Sequence, residues 1–571
     1  MTETRRCMGS SIAHWAGKTP DDIAIDDPDG LVSYAELDRR TIDYARAFTG
    51  AGLARGDRIC WLGKNSGLYF PLSAAASRAG LVIAPIGWRL AAPEVAYVLK
   101  DTRAPLLICE PEFAETARKA AQEAPDTKTI LCTKPGTDLP VLADFVANTT
   151  PGELPATDPA EGVLQLYTSG TTGNPKGAVL TNDNLFKMRP LVEDKPEHAW
   201  IDLKPGDSTL AVMPCAHIAG SGIGPIAFYN GATMMVIPEF HPDSVLDCID
   251  KGLNQFFLVP TALQMLVNWP RAKDTDFSSV RSVTYGAAPI PLELLRQCLQ
   301  TMPRALFCQQ YGMTETTGTV CILPPEDHDP AGNERMRGIG IPLPGVELKI
   351  VDENRQEVPP GTIGEIATRS GLNMLHYFNN PEKTAETVDA DGWLYTGDAA
   401  IMDEDGYFYI KDRVKDMIIS GGENIYPAEV ENAVFGHPQV NEVAVIGIPD
   451  AKWGEAVKAV VSPRPDAGEI DTDSIIAWAR ERIAGFKVPK SVDVIPELPR
   501  NASGKILRRE LRAPYWEGQE RGVSNRCCGL CAWSDRPSSR LPSRPWLSRR
   551  SDSRPPGYRL LLADWLLTKT V

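Results

Sequence analysis

Residues 167–177 read Y-T-S-G-T-T-G-N-P-K-G. The residues just before, with Leu164, Leu166 and Tyr167, read as the end of a buried strand. Gly170, Gly173 and Gly177 then interrupt regular structure, with hydroxyls at Thr168, Ser169, Thr171 and Thr172 between them. Glycines let backbone N–H groups converge on an anion, hydroxyls add donors, and Lys176 adds a positive charge. The loop is not a Walker A motif, because Pro175 stands where the second glycine of G-x-x-x-x-G-K is required. A Gly/Thr-rich surface turn has the same composition, so the meaning of the loop rests on the rest of the chain.

The length of 571 residues exceeds one ordinary core and predicts several folding units. The composition is that of a soluble globular protein, with 43% apolar and 23% charged residues. A net charge of −15 argues against non-specific nucleic-acid binding and against docking on an anionic membrane. No stretch reads as a signal peptide or as an integral membrane segment. The cysteines read as reduced, packed thiols of a cytoplasmic protein, not as a disulfide scaffold or zinc site. The sequence sets no oligomeric state.

Residues 1–160 alternate helical and strand patterns, which predicts an α/β layered architecture. Ser33 is the expected N-cap of a helix, with Glu36 completing a capping box. Residues 53–61 read as a turn into a strand, and 81–86 as a strand buried on both faces. Downstream of the loop come A-H-I-A-G at 216–220, Y-G-A-A-P at 285–289, Y-G-M-T-E-T at 311–316 and D-G-W-L-Y-T-G-D at 391–398. A charged break, D-R-V-K-D at 412–416, precedes a compact unit of α/β character. That unit has an apolar strand at 442–448, a helix at 473–483 and a basic loop, N-A-S-G-K, ending at Lys505. From 518 the chain is rich in Arg, Ser and Pro, and is expected to be a disordered basic tail. A basic interaction tail and a shifted reading frame are the alternatives there. Four segments follow: 1–411, a 412–416 hinge linker, 417–517 and 518–571.

The order and spacing of these motifs over residues 10–517 resemble the adenylate-forming superfamily of acyl-CoA synthetases, peptide-synthetase adenylation domains and luciferases, closest to the fatty-acid–CoA ligases. The resemblance implies a large N-terminal domain of two α/β subdomains plus a β-barrel-like portion, with a small mobile α+β C-terminal domain. It implies a two-step reaction. A carboxylate attacks the α-phosphate of MgATP to give acyl-adenylate and pyrophosphate, and a thiol then displaces AMP. On this resemblance Thr168, Ser169, Gly170, Thr171, Thr172, Gly173 and Lys176 hold the phosphates, Thr314 adds a hydroxyl, and Glu315 binds Mg2+. Tyr311 offers a face to adenine, with Gly286, Ala287, Ala288 and Pro289 opposite and Gln310 and Gly312 beside it. Asp398 accepts the ribose hydroxyls, and Arg413 contacts ribose and phosphate. Lys505 touches the reacting carboxylate and α-phosphate, Lys415 is the hinge, and Gly421 and Gly422 line the approach of the thiol. Such chemistry crowds anions, so a site built of cations and fixed donors suits it.

The stretch departs from the common pattern at Asp412 and at His376-Tyr377-Phe378, neither expected to touch a residue assigned to chemistry. His217, Ile218, Gly222, Tyr285 and Gly286 are the expected acyl-pocket residues; His217 reads equally well as a packed core histidine. Small residues after His217 leave volume, and no charge is present to meet an ammonium or a second carboxylate. That favours a medium- or long-chain fatty acid, with an aryl or steroid side-chain acid as the alternative. The expected thiol is coenzyme A, with a carrier-protein ligase as the rival; a catalytically silent nucleotide-binding protein is the reading from another class.

Overall fold

The computed structural model describes residues 5–168, 175–193, 201, 203–413, 416–421, 423–465, 467–500 and 506–517, with backbone only at Asp412, Arg413 and Asn424. Ser169, Gly170, Thr171, Thr172, Gly173, Lys415, Gly422, Lys505 and the 518–571 tail lie outside the described residues.

Two large mixed sheets carry the first part of the chain. In one, seven strands run in the order His376–Tyr377, Lys176–Thr181, Gly162–Thr168, Val82–Ile86, Arg58–Leu62, Leu106–Cys109 and Thr129–Cys132. The last five are parallel. Val82–Ile86 is buried at every position, as a doubly covered parallel strand must be. The other sheet has nine strands, with Thr233–Val236, Ser208–Ala211, Gln255–Leu258, Ser282–Gly286 and Leu306–Tyr311 parallel at its centre. One core joins the two sheets. The helix Tyr69–Arg78 is almost wholly buried, and Tyr69 and Phe70 pack with Trp61 of one sheet and Met234 of the other. Each such ring contributes about 2–3 kcal/mol by leaving water. The buried hydroxyl of Tyr69 is matched at 2.5 Å with Ser221.

Val346–Val351, Gly364–Ser370, Leu394–Met402 and Phe408–Arg413 form a four-stranded antiparallel sheet, the β-rich portion of the fold. A smaller sheet follows, built on the long hairpin Val440–Asp450 and Gly454–Pro463 and covered by the helices Pro427–Phe435 and Thr472–Arg480. The architecture is thus mixed α/β with a small α+β unit at the end. Among the described residues no helix is long and apolar enough to cross a membrane.

Three local expectations are corrected. Ser33 does cap the helix Tyr34–Gly50, accepting from the Glu36 N–H, but Glu36 does not close a capping box. Its carboxylate turns to Arg39 and Arg40 at 2.6–2.8 Å, and the Arg39 bond first of all lowers its pKa to about 2. The helix expected at 473–483 starts at Thr472, because Asp471 caps it by accepting from the N–H groups of Asp473 and Ser474. Lys176 belongs to a strand instead of the loop: Gly162–Thr168 and Lys176–Thr181 are an antiparallel pair in which Thr168 lies opposite Lys176.

Candidate active site

Three of the expected site residues stand at the carboxyl ends of parallel strands, the edge of an open α/β sheet where ligands bind. Thr168 ends one such strand, Gly286 a second and Tyr311 a third.

Glu315 is the buried centre. It sits in the single turn Thr314–Thr316 and is 4% exposed. Its own carbonyl accepts from the Met374 N–H at 2.7 Å, and the next turn is pinned where Thr317, in the left-handed region at φ 55°, donates its hydroxyl to the Leu372 carbonyl at 2.6 Å. Its carboxylate accepts from Thr168 Oγ1 at 3.2 Å and from the Tyr377 hydroxyl at 2.7 Å. Among the described residues both hydrogen bonds fall on Oε1. Burial, with Glu315 next, raises the Tyr377 pKa, so the phenol remains the donor. Lys176 Nζ lies 4.9 Å from the centre of the Tyr377 ring.

Tyr377 is the residue that the sequence reading missed. Its stretch was expected to touch nothing of chemical interest, yet it bonds to Glu315 directly. The reason is register. His376–Tyr377 pairs antiparallel with Lys176–Thr181, Tyr377 opposite Ala178. Side chains alternate along a strand, so Tyr377, Lys176 and Thr168 share one face. Only the aromatic before the N-N-P turn at 379–381 was visible as a signal, and its partner lies some two hundred residues earlier in the chain.

Tyr311 donates its hydroxyl to Asp398 Oδ2 at 2.8 Å. Burial, then the Asp398 charge, raises the Tyr311 pKa well above its ordinary value. Asp398 lies opposite Arg413 in the antiparallel ladder, so these two expected ribose contacts are brought together. Gly286 lies opposite Gln310, and a Cβ at 286 would come 2.0 Å from the Gln310 carbonyl oxygen. A Cβ at Gly312 would come 2.2 Å from the Gly318 carbonyl oxygen. Ala287 holds φ at 65°, unusual for a residue with a side chain, and it is exposed with Ala288 and Pro289. Thr314 is half-buried beside Glu315. The Gln310 amide oxygen accepts from Thr319 at 3.2 Å.

His217 is the residue before the turn Ile218–Ser221. Burial lowers its pKa to about 4, which keeps the ring neutral, and its Nε2 is buried without a hydrogen-bond partner among the described residues. Ile218 and Gly222 are in contact: a Cβ at Gly222 would lie 2.6 Å from the Ile218 carbonyl oxygen. The expectation for Tyr285 is corrected. Its side chain is wholly enclosed and its hydroxyl lies 2.9 Å from His328 Nε2. His328 Nδ1 lies 2.9 Å from the Pro324 carbonyl, which can only accept, so Nδ1 carries the proton and Tyr285 donates to Nε2.

Just past the strand Ile418–Ser420 of the smaller sheet, Gly421, at φ 63°, donates its N–H to the Trp453 carbonyl at 2.7 Å. A Cβ there would meet the Trp453 ring at 2.7 Å.

These residues suit a magnesium nucleotide. Both described hydroxyls hold Oε1 of Glu315, which leaves its other oxygen outside these two bonds, and a hard cation accepts a single protein carboxylate while substrate and water oxygens supply the rest. No group of three or more metal-binding side chains occurs among the described residues. The strand ends at Gly286 and Gly312 allow the close backbone approach that a flat base requires.

The sequence model for AMP-binding enzymes matches residues 12–378, and that for the AMP-binding enzyme C-terminal domain matches residues 429–505. The chain is 39% identical over 494 residues to the fatty acid–[acyl-carrier-protein] ligase ScoC of Streptomyces coeruleorubidus, covering 86% of this chain and 93% of that one. It is 39% identical over 517 residues to a feruloyl-CoA synthase of an Amycolatopsis species, covering 89% and 99%. The crystal structure of ATP-bound MatB from Rhodopseudomonas palustris superposes with a TM-score of 0.79 at 31% identity, covering 89% of this chain and 99% of that one.

Proposed function

The chain belongs to the AMP-binding enzyme family and is an AMP-forming acid–thiol ligase working with ATP, Mg2+ and coenzyme A; from that premise we propose that its acid is a medium- or long-chain fatty acid. What supports this reading is the stretch 213–225, expected to line the acyl pocket, which carries no Asp, Glu, Lys or Arg and whose one titratable ring, His217, is held neutral by burial. An ammonium or a second carboxylate would lie there without a counter-charge, which is costly in a dry pocket. The ScoC relative is named for a fatty acid.

In this reading the acid carboxylate attacks the α-phosphorus of ATP, forming the acyl–phosphate bond as the bond to pyrophosphate breaks. Thr168 and the residues through Gly173, with Lys176, hold the phosphates by hydroxyl, backbone N–H and ammonium donors. Glu315 and Thr314 supply the carboxylate and hydroxyl that face them. When bound, Mg2+ neutralises phosphate oxygens as charge shifts toward pyrophosphate. Tyr311, Gln310, Gly312 and the Gly286–Ala287–Ala288–Pro289 turn enclose adenine, and Asp398 with Arg413 takes the ribose. Lys505 screens the meeting of carboxylate and α-phosphate in this step. Residues 417–517 then turn about Lys415 relative to residues 1–411, and Gly421 and Gly422 leave room for the thiol of coenzyme A. The thiol gives its proton to solvent and attacks the acyl carbon, the bond from that carbon to the phosphate oxygen breaks, and AMP departs. Nine described cysteines are buried free thiols, which supports a cytoplasmic enzyme.

One observation favours a second reading. The unpartnered Nε2 of His217 would be satisfied by a polar oxygen on the acid, and the Amycolatopsis relative is a feruloyl-CoA synthase. A panel of saturated fatty, cinnamic and steroid side-chain acids, each with ATP, Mg2+ and either coenzyme A or a phosphopantetheinyl carrier protein, separates the readings. Pyrophosphate release and product mass are measured. Highest turnover on C8–C16 acids with coenzyme A fits the fatty-acid reading; highest turnover on hydroxylated cinnamates overturns it.

A further inference from the structure

We propose that Tyr377 is a positioning residue for Glu315, fixing one carboxylate oxygen so that the other is presented to the nucleotide-bound cation. The proposal rests on the reading of Glu315 as the cation's ligand.

The terminal torsion of a glutamate is soft, so burial alone does not set which oxygen faces which way. Here two hydroxyls, from two different strands, converge on the same atom. Thr168 donates to Oε1 from the end of Gly162–Thr168, and Tyr377 donates to it at 2.7 Å from the edge strand His376–Tyr377. Tyr377 and Glu315 are each 4% exposed, so water does not compete for these bonds. A carboxylate with both donors on Oε1 cannot exchange its oxygens without breaking two hydrogen bonds. Partners of this kind orient metal ligands, and their loss typically weakens metal binding about 10–100-fold.

The same ring lies beneath the Lys176 ammonium, 4.9 Å from its centre. One tyrosine therefore meets Glu315 with its hydroxyl and Lys176, at the end of the phosphate hairpin, with its ring. The backbone keeps it there: Tyr377 pairs opposite Ala178, its N–H donates to Thr384 Oγ1 at 3.0 Å, and the next residue's N–H donates to the Gly177 carbonyl at 2.7 Å. Removing the hydroxyl while keeping the ring separates orientation of the carboxylate from packing.

The test is calorimetric titration of the whole chain with α,β-methylene-ATP at a series of Mg2+ concentrations, beside titration with an acyl-sulfamoyl adenosine that binds without the metal. Parent, Tyr377→Phe, Thr168→Val and Glu315→Gln are compared. Expected for Tyr377→Phe is a Mg2+ midpoint about tenfold higher, with the sulfamoyl ligand within twofold of parent. Equal weakening of both ligands overturns the proposal, since the phenol would then serve packing alone. A Glu315→Gln shift without a Tyr377→Phe shift overturns the positioning role and leaves the Glu315 reading standing. No shift in Glu315→Gln overturns both. If Tyr377→Phe does not fold, Thr168→Val reads the same oxygen: a raised midpoint with metal-free nucleotide affinity within twofold of parent supports the anchored carboxylate, and an unchanged midpoint, or equal weakening without the metal, overturns it.

Discussion

The Tyr311 hydroxyl donates to Asp398 across 2.8 Å, tying the last parallel strand of the nine-stranded sheet to the antiparallel sheet beside it. In the proposed site these residues hold adenine and ribose, so the bond fixes the two halves of the nucleoside pocket together. A hydrogen bond to a charged partner is worth about 1.5–3 kcal/mol. Tyr311→Phe keeps the ring but loosens Asp398. The expected result is a KM for ATP raised about tenfold, with the KM for the acid within twofold of parent, measured by coupled AMP formation.

Gly286 is placed by contact. A side chain there would drive into the Gln310 carbonyl, 2.0 Å from an ideal Cβ, and backbone cannot step aside as a flexible side chain can. Gly286→Ala is expected to lower acid-dependent pyrophosphate release at least 100-fold and to cost roughly 2–4 kcal/mol in urea unfolding, in the range of overpacked sites. Gly17, at an ordinary φ, meets nothing within 4 Å; a control Gly17→Ala should leave pyrophosphate release unchanged.

Much of this arrangement was legible in the chain because its signals are local. The buried run at Val82–Ile86 declares a parallel strand, and Ser33 declares a helix start. Glycines at 286 and 312 mark backbone approach, and the Glu315 motif follows a strand end. What stayed hidden depends on register between distant segments. Nothing near 377 announces that its phenol lies against Glu315, because that contact exists only once an edge strand pairs with Lys176–Thr181. Tyr285 misled for the same reason: period-two alternation puts either Tyr285 or Gly286 toward the ligand, and the chain alone does not say that the tyrosine turns inward to His328.

His328 makes stability depend on pH. Burial lowers its pKa to about 4, against 6.5 for an accessible ring. The unfolded chain binds the proton first, so this contribution is complete above pH 6.5 and is lost as pH falls toward 4. Glu110 works the other way in an overlapping window, since burial raises its carboxyl to about 7. The informative quantity is therefore a difference. Urea unfolding of His328→Gln should lose less stability than parent between pH 6.5 and 4.5; parallel profiles would contradict the assignment.

The small unit is braced from the linker's end. Arg512 holds Asp416 at 3.0 Å, and Arg508 holds Glu431 through contacts of 2.7 and 2.8 Å. Glu431 also accepts the Val445 N–H at 2.7 Å, so the helix Arg508–Arg512, the helix Pro427–Phe435 and the strand Val440–Asp450 share one carboxylate. Breaking a buried pair from one side costs about 3–5 kcal/mol, and somewhat less for these partly buried groups. Arg508→Ala should lower stability by roughly 2–3 kcal/mol in urea unfolding and open residues 417–517 to proteolysis before the rest.

The most direct test divides the reaction. ATP–pyrophosphate exchange with the acid, and thioester formation from supplied acyl-adenylate and coenzyme A, are measured on parent and Lys505→Ala. If one lysine serves only the meeting of carboxylate and α-phosphate, exchange falls at least 100-fold while thioester formation stays within about threefold of parent. Equal loss in both half-reactions, or exchange that survives, contradicts the account.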